Sequence, residues 1–184
     1  MSRRSIVLVV VLVPVVPAIW VGRVLGMPAP VPGASARPPG PPQAPTPSVD
    51  CAQINDERAA PSPDLRVLFD RVAVAPQDYW GQQPVPSAPL GYWAKAPVLV
   101  KSGDQPVSIT VPPEWQKRAA ITWGDSGIVR ALRISGCASP ARTWFFYAGG
   151  FYLTHPACVP LTIRVGDKAA TVRFAIGRTC STAD

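Results

Sequence analysis

The groups in this 184-residue chain that could do chemistry are few: Ser126 within Gly124-Asp125-Ser126-Gly127, the single histidine His155, four cysteines and a scatter of carboxylates. A serine nucleophile needs a general base within hydrogen-bond reach, and His155 is the only imidazole that could serve it. A glycosidase needs two carboxylates facing each other across a sugar, with Asp64, Asp70, Asp104, Glu114 and Asp125 as candidates. Nothing in their spacing selects a pair, and most stand beside turns, where aspartate bonds its own backbone. Metal sites need clustered ligands. One histidine and Cys51, Cys137, Cys158 and Cys180, with no C-x-x-C spacing among them, give no zinc set and no thioredoxin-like redox motif. No metal and no cofactor is expected.

The run around Ser126 resembles the nucleophile loop of trypsin-like serine proteases, but the likeness stops there. Ile128 stands where that loop continues with glycine, and His155 follows the serine instead of preceding it. The domain is also too small for a two-barrel protease. A tight turn, with Gly and Asp supplying its backbone angles, accounts for the motif, and His155 between Thr154 and Pro156 reads as a turn residue. The chain is therefore expected not to be an enzyme. A small exported hydrolase, using Ser126 or a carboxylate pair, is the alternative.

Aromatic side chains are the more informative chemistry. Five of the six tryptophans fall beyond residue 49, and the candidate binding face is Tyr79, Trp80, Tyr92, Trp93, Trp115 and Trp144. Neighbouring residues on a strand point to opposite sheet faces, so Tyr92-Trp93 and the run Trp144-Phe145-Phe146-Tyr147 cannot lie wholly in a core. Rings left outside, beside Gly81, Gly91 and Gly149, can stack sugars or peptide, or else cover sheet edges and loop bases.

These residues must be positioned by a domain that starts late in the chain. Arg3 and Arg4 precede an uncharged run from Ile6 to Gly22, closed by Arg23. As a helix that run spans about 25 Å, and Arg23 can snorkel while the next residues add a turn. Residues 1–27 are thus expected to be a signal anchor with one transmembrane helix. Secretion after cleavage is the alternative, although the best small-residue site, Ala34-Ser35-Ala36, lies far from the apolar run. Residues 28–49 form a Pro-rich linker, with nine prolines between Pro28 and Pro47. Such a segment favours polyproline II or disorder over helix or sheet.

Residues 50–184 then make one extracytoplasmic domain. The formal charge of +7 is misleading as a footprint for nucleic acid: four of the 18 basic residues precede the domain and all 11 acidic ones lie within it, which leaves the domain at +3. Nucleic acid is not an expected partner. The membrane is, with a cell-wall polymer or an envelope protein beyond it; a structural subunit of a membrane complex is a further reading. Nothing in the sequence sets the oligomeric state.

Within the domain, Val107 to Val111, Leu161 to Val165 and Val172 to Ile176 alternate apolar and polar residues, and the last two flank Gly166-Asp167 as a β-hairpin. Further strands are expected at 66–74, 98–101, 119–123, 129–135 and 144–153. The fold class is all-β: an immunoglobulin-like sandwich of about seven or eight antiparallel strands, although the Cys-Trp-Cys spacing of antibody domains is missing. Four cysteines on the exported side imply two disulfides. If Gly149-Gly150 turns the chain into a hairpin, Cys137 meets Cys158 and Cys51 meets Cys180, which is the favoured pairing. If the glycines are a bulge in one long strand, Cys158 falls beside Cys180 instead.

From Cys51 onward, several short motifs run in order: Cys51 itself, Phe69-Asp70-Arg71-Val72-Ala73, Lys95-Ala96-Pro97-Val98 through Val111-Pro112, Gly149-Gly150-Phe151, Cys158-Val159-Pro160-Leu161, and Gly177 with Cys180. In these the chain resembles a group of exported or membrane-anchored actinobacterial proteins without an assigned activity. The resemblance implies export and a disulfide-bonded β domain, and it carries over no functional residue.

Overall fold

A computed structural model describes residues 45–75, 84–139, 141 and 143–181. The expected span within 1–27, most of the linker, and Tyr79 and Trp80 lie outside the described residues. No helix among the described residues is long and apolar enough to cross a membrane. The described residues are all-β, as the alternating patterns require, with two single 3-10 turns among them, Cys51–Gln53 and Pro113–Trp115.

The first strands are β1 (Ser48–Val49), β2 (Asp56–Arg58), β3 (Arg66–Leu68), β4 (Val72–Val74) and β5 (Val85–Ser87). There follow β6 (Gly91–Lys95), β7 (Val98–Lys101), β8 (Val107–Thr110), β9 (Ala119–Trp123) and β10 (Ala131–Ile134). The last are β11 (Trp144–Tyr147), β12 (Gly149–Leu153), β13 (Ala157–Val165) and β14 (Lys168–Ile176). They form three sheets in the orders β1-β10-β8-β13-β14, β2-β11-β7-β4-β3 and β5-β6-β12-β9.

One core joins all three. Val107, Ile109, Leu161, Ile163, Val172 and Phe174 come from the first sheet, Val72, Val98, Val100, Phe145 and Tyr147 from the second, and Ile121, Trp123, Phe151 and Leu153 from the third. Phe151 links layers: its ring meets Trp123 edge-on at 5.8 Å and lies 5.0 Å from Phe174. The buried Trp123 indole donates to the Ala96 carbonyl at 2.7 Å, so its one polar atom is satisfied.

Among the described residues fourteen strands replace the seven or eight expected, because two expected strands break and four more, β1, β2, β5 and β6, form where none was expected. Residues 66–74 are a hairpin, not a strand: Phe69 and Asp70 both have positive φ (55° and 52°), and the Arg71 N–H returns to the Leu68 carbonyl at 2.9 Å. That is a type I′ turn built without glycine or asparagine. The run 144–153 changes sheet at Ala148 and continues in the same direction. Pairing is also not wholly antiparallel, since β1 runs parallel to β10. Ser48 and Val49, expected in the linker, belong to this sheet, and Val49 is fully buried.

The favoured disulfide pairing is corrected by the same topology. The bonds are Cys51–Cys137 and Cys158–Cys180, with Cα atoms 5.6 and 5.1 Å apart. Parallel strands end on the same side, so the residues following β1 and β10 meet there. Gly149-Gly150 does not reverse the chain, and Cys158 opens β13 opposite Ala175, beside the end of β14 that leads to Cys180.

Candidate functional site

One register runs unbroken through two sheets. Tyr152 pairs with Trp93 and Gly150 with Lys95 in the third sheet; Phe146 pairs with Leu99 and Trp144 with Lys101 in the second. The Ala96 N–H donates to the Gly149 carbonyl at 2.9 Å across the join, so β6–β7 and β12–β11 make a single two-stranded ribbon. The glycines permit this. A Cβ on Gly149 would land on the Thr122 carbonyl and one on Gly150 on the Ala94 carbonyl, where backbones approach too closely for any side chain.

Alternation then sorts the ribbon. Ala94, Ala96, Val98, Val100, Phe145, Tyr147, Phe151 and Leu153 face the core. Trp93, Lys95, Pro97 and Leu99 point to the opposite face with Tyr152, Gly150, Ala148 and Phe146 across from them, and Leu99 is buried there among Ala73, Trp144, Leu65 and Phe146. Trp93 and Tyr152 are half-buried neighbours, and Val85, paired to Trp93 on its other side, is 51% exposed. Further along, Lys95, Pro97, Leu99 and Phe146 floor a groove of about 380 Å³ walled by Arg58, Ser62, Asp64 and Leu65. The Arg58 guanidinium stacks 4.8 Å from the Phe146 ring and reaches Asp56 at 3.2 Å. Arg58 pairs with Asp56, and Lys95 and Asp64 both line the groove, so two cations and two carboxylates stand along the track. Its six residue steps from Trp93 to Leu99 cover about 20 Å.

The structure scatters the four predicted rings that lie among the described residues, Tyr92, Trp93, Trp115 and Trp144. Trp93 lies on this outer track. Tyr92 turns inward and packs against the core. Trp144 is 5% exposed, packed with Ala73 and Leu99 under Leu65 and Phe146, so it offers no ring face to a ligand. Trp115 sits in its 3-10 turn, half-buried against the core, with the Arg118 guanidinium stacked 4.0 Å away. It borders a separate groove of about 430 Å³ with Pro112, Glu114, Pro160, Thr162 and Arg173. Sequence reasoning missed Tyr152, Phe146 and Lys95. The available signal was that Phe151-Tyr152, like Tyr92-Trp93, is an aromatic dyad on a strand and must send one ring outward.

The candidate catalytic groups do not assemble. The Ser126 hydroxyl accepts from the Trp123 N–H at 3.2 Å and donates to the Gly127 carbonyl at 3.0 Å, closing the turn after β9. His155 bonds Thr154 at 2.9 Å in the turn after β12. Because Trp123 pairs with Gly149 and Ala119 with Leu153, these two turns lie at opposite ends of the β9–β12 pair, on the order of 13 Å apart along the strand. Asp70 is committed to Lys101 at 2.8 Å, and that hydrogen bond and charge hold its carboxyl below the usual range. Asp64 and Glu114 line different grooves. No group of three or more ligands that could hold a metal occurs among the described residues.

Arg71 is the most constrained polar side chain. Its guanidinium donates to the Lys101 carbonyl and, at 2.7 Å, to the Gln105 carbonyl, bracing the β7–β8 loop. Burial lowers its pKa, which the Asp104 charge partly opposes. A Cβ on Gly103 would collide with this guanidinium, so the loop is shaped around it. These contacts make Arg71 a structural brace. No protein-family model, curated protein or solved structure matches the chain.

Proposed function

We propose that the chain is a non-enzymatic binding module, displayed outside the cytoplasm on a single membrane span, that holds a cell-wall polymer or an envelope protein on the outer face of its β6–β7/β11–β12 ribbon. One observation carries this reading: the continuous register sets Trp93 and Tyr152 side by side and leads from them directly into the groove floored by Lys95, Pro97, Leu99 and Phe146. Paired rings on a strand that leads into a groove bearing both charge signs suit an extended ligand, a glycan strand or a peptide, through stacking and a few polar contacts. Two disulfides in a small β domain agree with an exported location. The three sheets around one core are read as an elaborated immunoglobulin-like sandwich, and the likeness to exported actinobacterial proteins supports the same address.

The full chain in detergent, incubated with purified cell wall and separately with envelope lysate, tests the proposal. Retention by one of them is expected, with loss of at least tenfold in the Trp93→Ala/Tyr152→Ala variant. Retention by neither, or retention indifferent to both substitutions, would refute it.

A further inference from the structure

The strand edges of this domain are unequal. At the borders of their sheets, β1 has two residues and β2, β3 and β5 have three each, while β9 is engaged at Ile121 by Val129. Short or occupied edges resist further pairing. The nine-residue β14 is different: it pairs with β13 along its whole length and, among the described residues, borders no other strand. It contains no proline, and its register with β13 shows no bulge.

The hydrogen-bonding direction along β14 follows from its turn. Gly166 has φ +54° and Asp167 does not share that sign, so the two-residue loop is of type II′, and Val165 and Lys168 form the first hydrogen-bonded pair. Alternation then turns the N–H and C=O groups of Ala169, Thr171, Arg173 and Ala175 away from β13. No backbone hydrogen bond outside the β13 ladder reaches them among the described residues. Their side chains lie on the outer face, whereas Val172, Phe174 and Ile176 are in the core.

We infer that β14 is a homodimerisation edge, pairing antiparallel with β14 of a second copy about a two-fold axis at Val172. In that register Ala169 lies opposite Ala175 of the second copy and Thr171 opposite its Arg173, so small residues meet small ones and no like charges stand directly across. All four outward-directed residues of each copy find partners. A shift of one pleat toward the C-terminus sets the two Arg173 side chains against each other, which is repulsive. The opposite shift centres on Thr171 and leaves Ala175 facing the Gly166-Asp167 turn, with fewer ladder bonds. The strand is therefore self-complementary in one register, as an isologous two-fold interface requires. The two five-stranded sheets would become one.

Sedimentation of the full chain in detergent, over a concentration series into the tens of micromolar, tests this with two exposed-site variants. Thr171→Glu faces Arg173 of the second copy twice per dimer and is expected to tighten association by about tenfold; Thr171→Lys is expected to weaken it by about as much. A third variant, Thr171→Pro, removes an N–H that the β13 ladder does not use and should give monomers with unchanged near-ultraviolet circular dichroism. A wild type that stays monomeric throughout the series would overturn the inference. So would a dimer whose affinity moves in the same direction, or not at all, for the Glu and Lys variants.

Discussion

Tyr147 is fully buried, its hydroxyl 3.8 Å from the Cys137 sulfur, and it occupies the place where the second sheet meets the disulfide joining the domain's first residues to the segment after β10. Burial disfavours the phenolate and pushes its pKa up to about 12. An unfolded tyrosine ionises near about 10. Below that value the phenol is neutral in both states and the folded arrangement loses nothing. Between about 10 and about 12 the unfolded chain releases a proton that the native state retains, so stability falls as pH rises through that window. Urea midpoints measured across it should therefore decline more steeply for the wild type than for Tyr147→Phe. Equal slopes would mean that this phenol does not carry the alkaline loss. Asp70 has the opposite sense. Its depressed pKa gives a contribution present at neutral pH and lost as acid protonates it, but the carboxylate is exposed and its pair with Lys101 is screened.

At the scale of elements, the ribbon depends on Gly149, where the chain leaves one sheet and enters another. Replacing it with alanine would drive a methyl into the Thr122 carbonyl and the Trp123 backbone. Neither can retreat, since Thr122 lies in the ladder with β12 and Trp123 is anchored through Ala96. Gly149→Ala should cost about 3 kcal/mol in urea unfolding, and a change below about 0.5 kcal/mol, the size of an ordinary surface substitution, would show that the join is not tight. Apolar alternation made β8, β14 and the second half of β13 legible in the sequence, because each has one face in the core and one outside. The breaks in other runs left no such trace. Phe69 and Asp70 are poor formers of a type I′ turn, and they adopt it because Phe69 packs on the core and Asp70 reaches Lys101. Gly149-Gly150 has the composition of a turn, yet here serves close backbone approach, and that difference decided the disulfides. The outward rings were legible as dyads on strands, but which of them share a face depends on a pairing register between segments about fifty residues apart, which local pattern does not encode.

For the whole molecule, the consequential feature is how the domain begins. The chain enters as β1, only two residues long, held by hydrogen bonds from the Arg133 N–H to Pro47 at 2.9 Å and from the Ser135 N–H to Val49 at 2.8 Å. Two parallel residues cannot resist fraying by themselves, even with Val49 buried. Immediately after them Cys51 is bonded to Cys137 across 86 residues, a closure that restricts the unfolded chain by about 4.6 kcal/mol in the loop-entropy estimate. If the preceding residues are the proposed tether, tension along it passes through β1 to this bond and from there into the segment that follows β10. The second bond, Cys158–Cys180, closes only the β13–β14 hairpin and its exit, and lies off that path. Replacing Cys51 and Cys137 with serine should therefore act locally first. Hydrogen exchange at the Arg133 and Ser135 amides should rise by an order of magnitude or more beyond any change at the β13–β14 ladder, because opening of the entry strand no longer requires unfolding of the whole core. A uniform increase at all these amides would instead mean that β1 opens only with global unfolding, and that the disulfide stabilises the domain without securing its point of attachment.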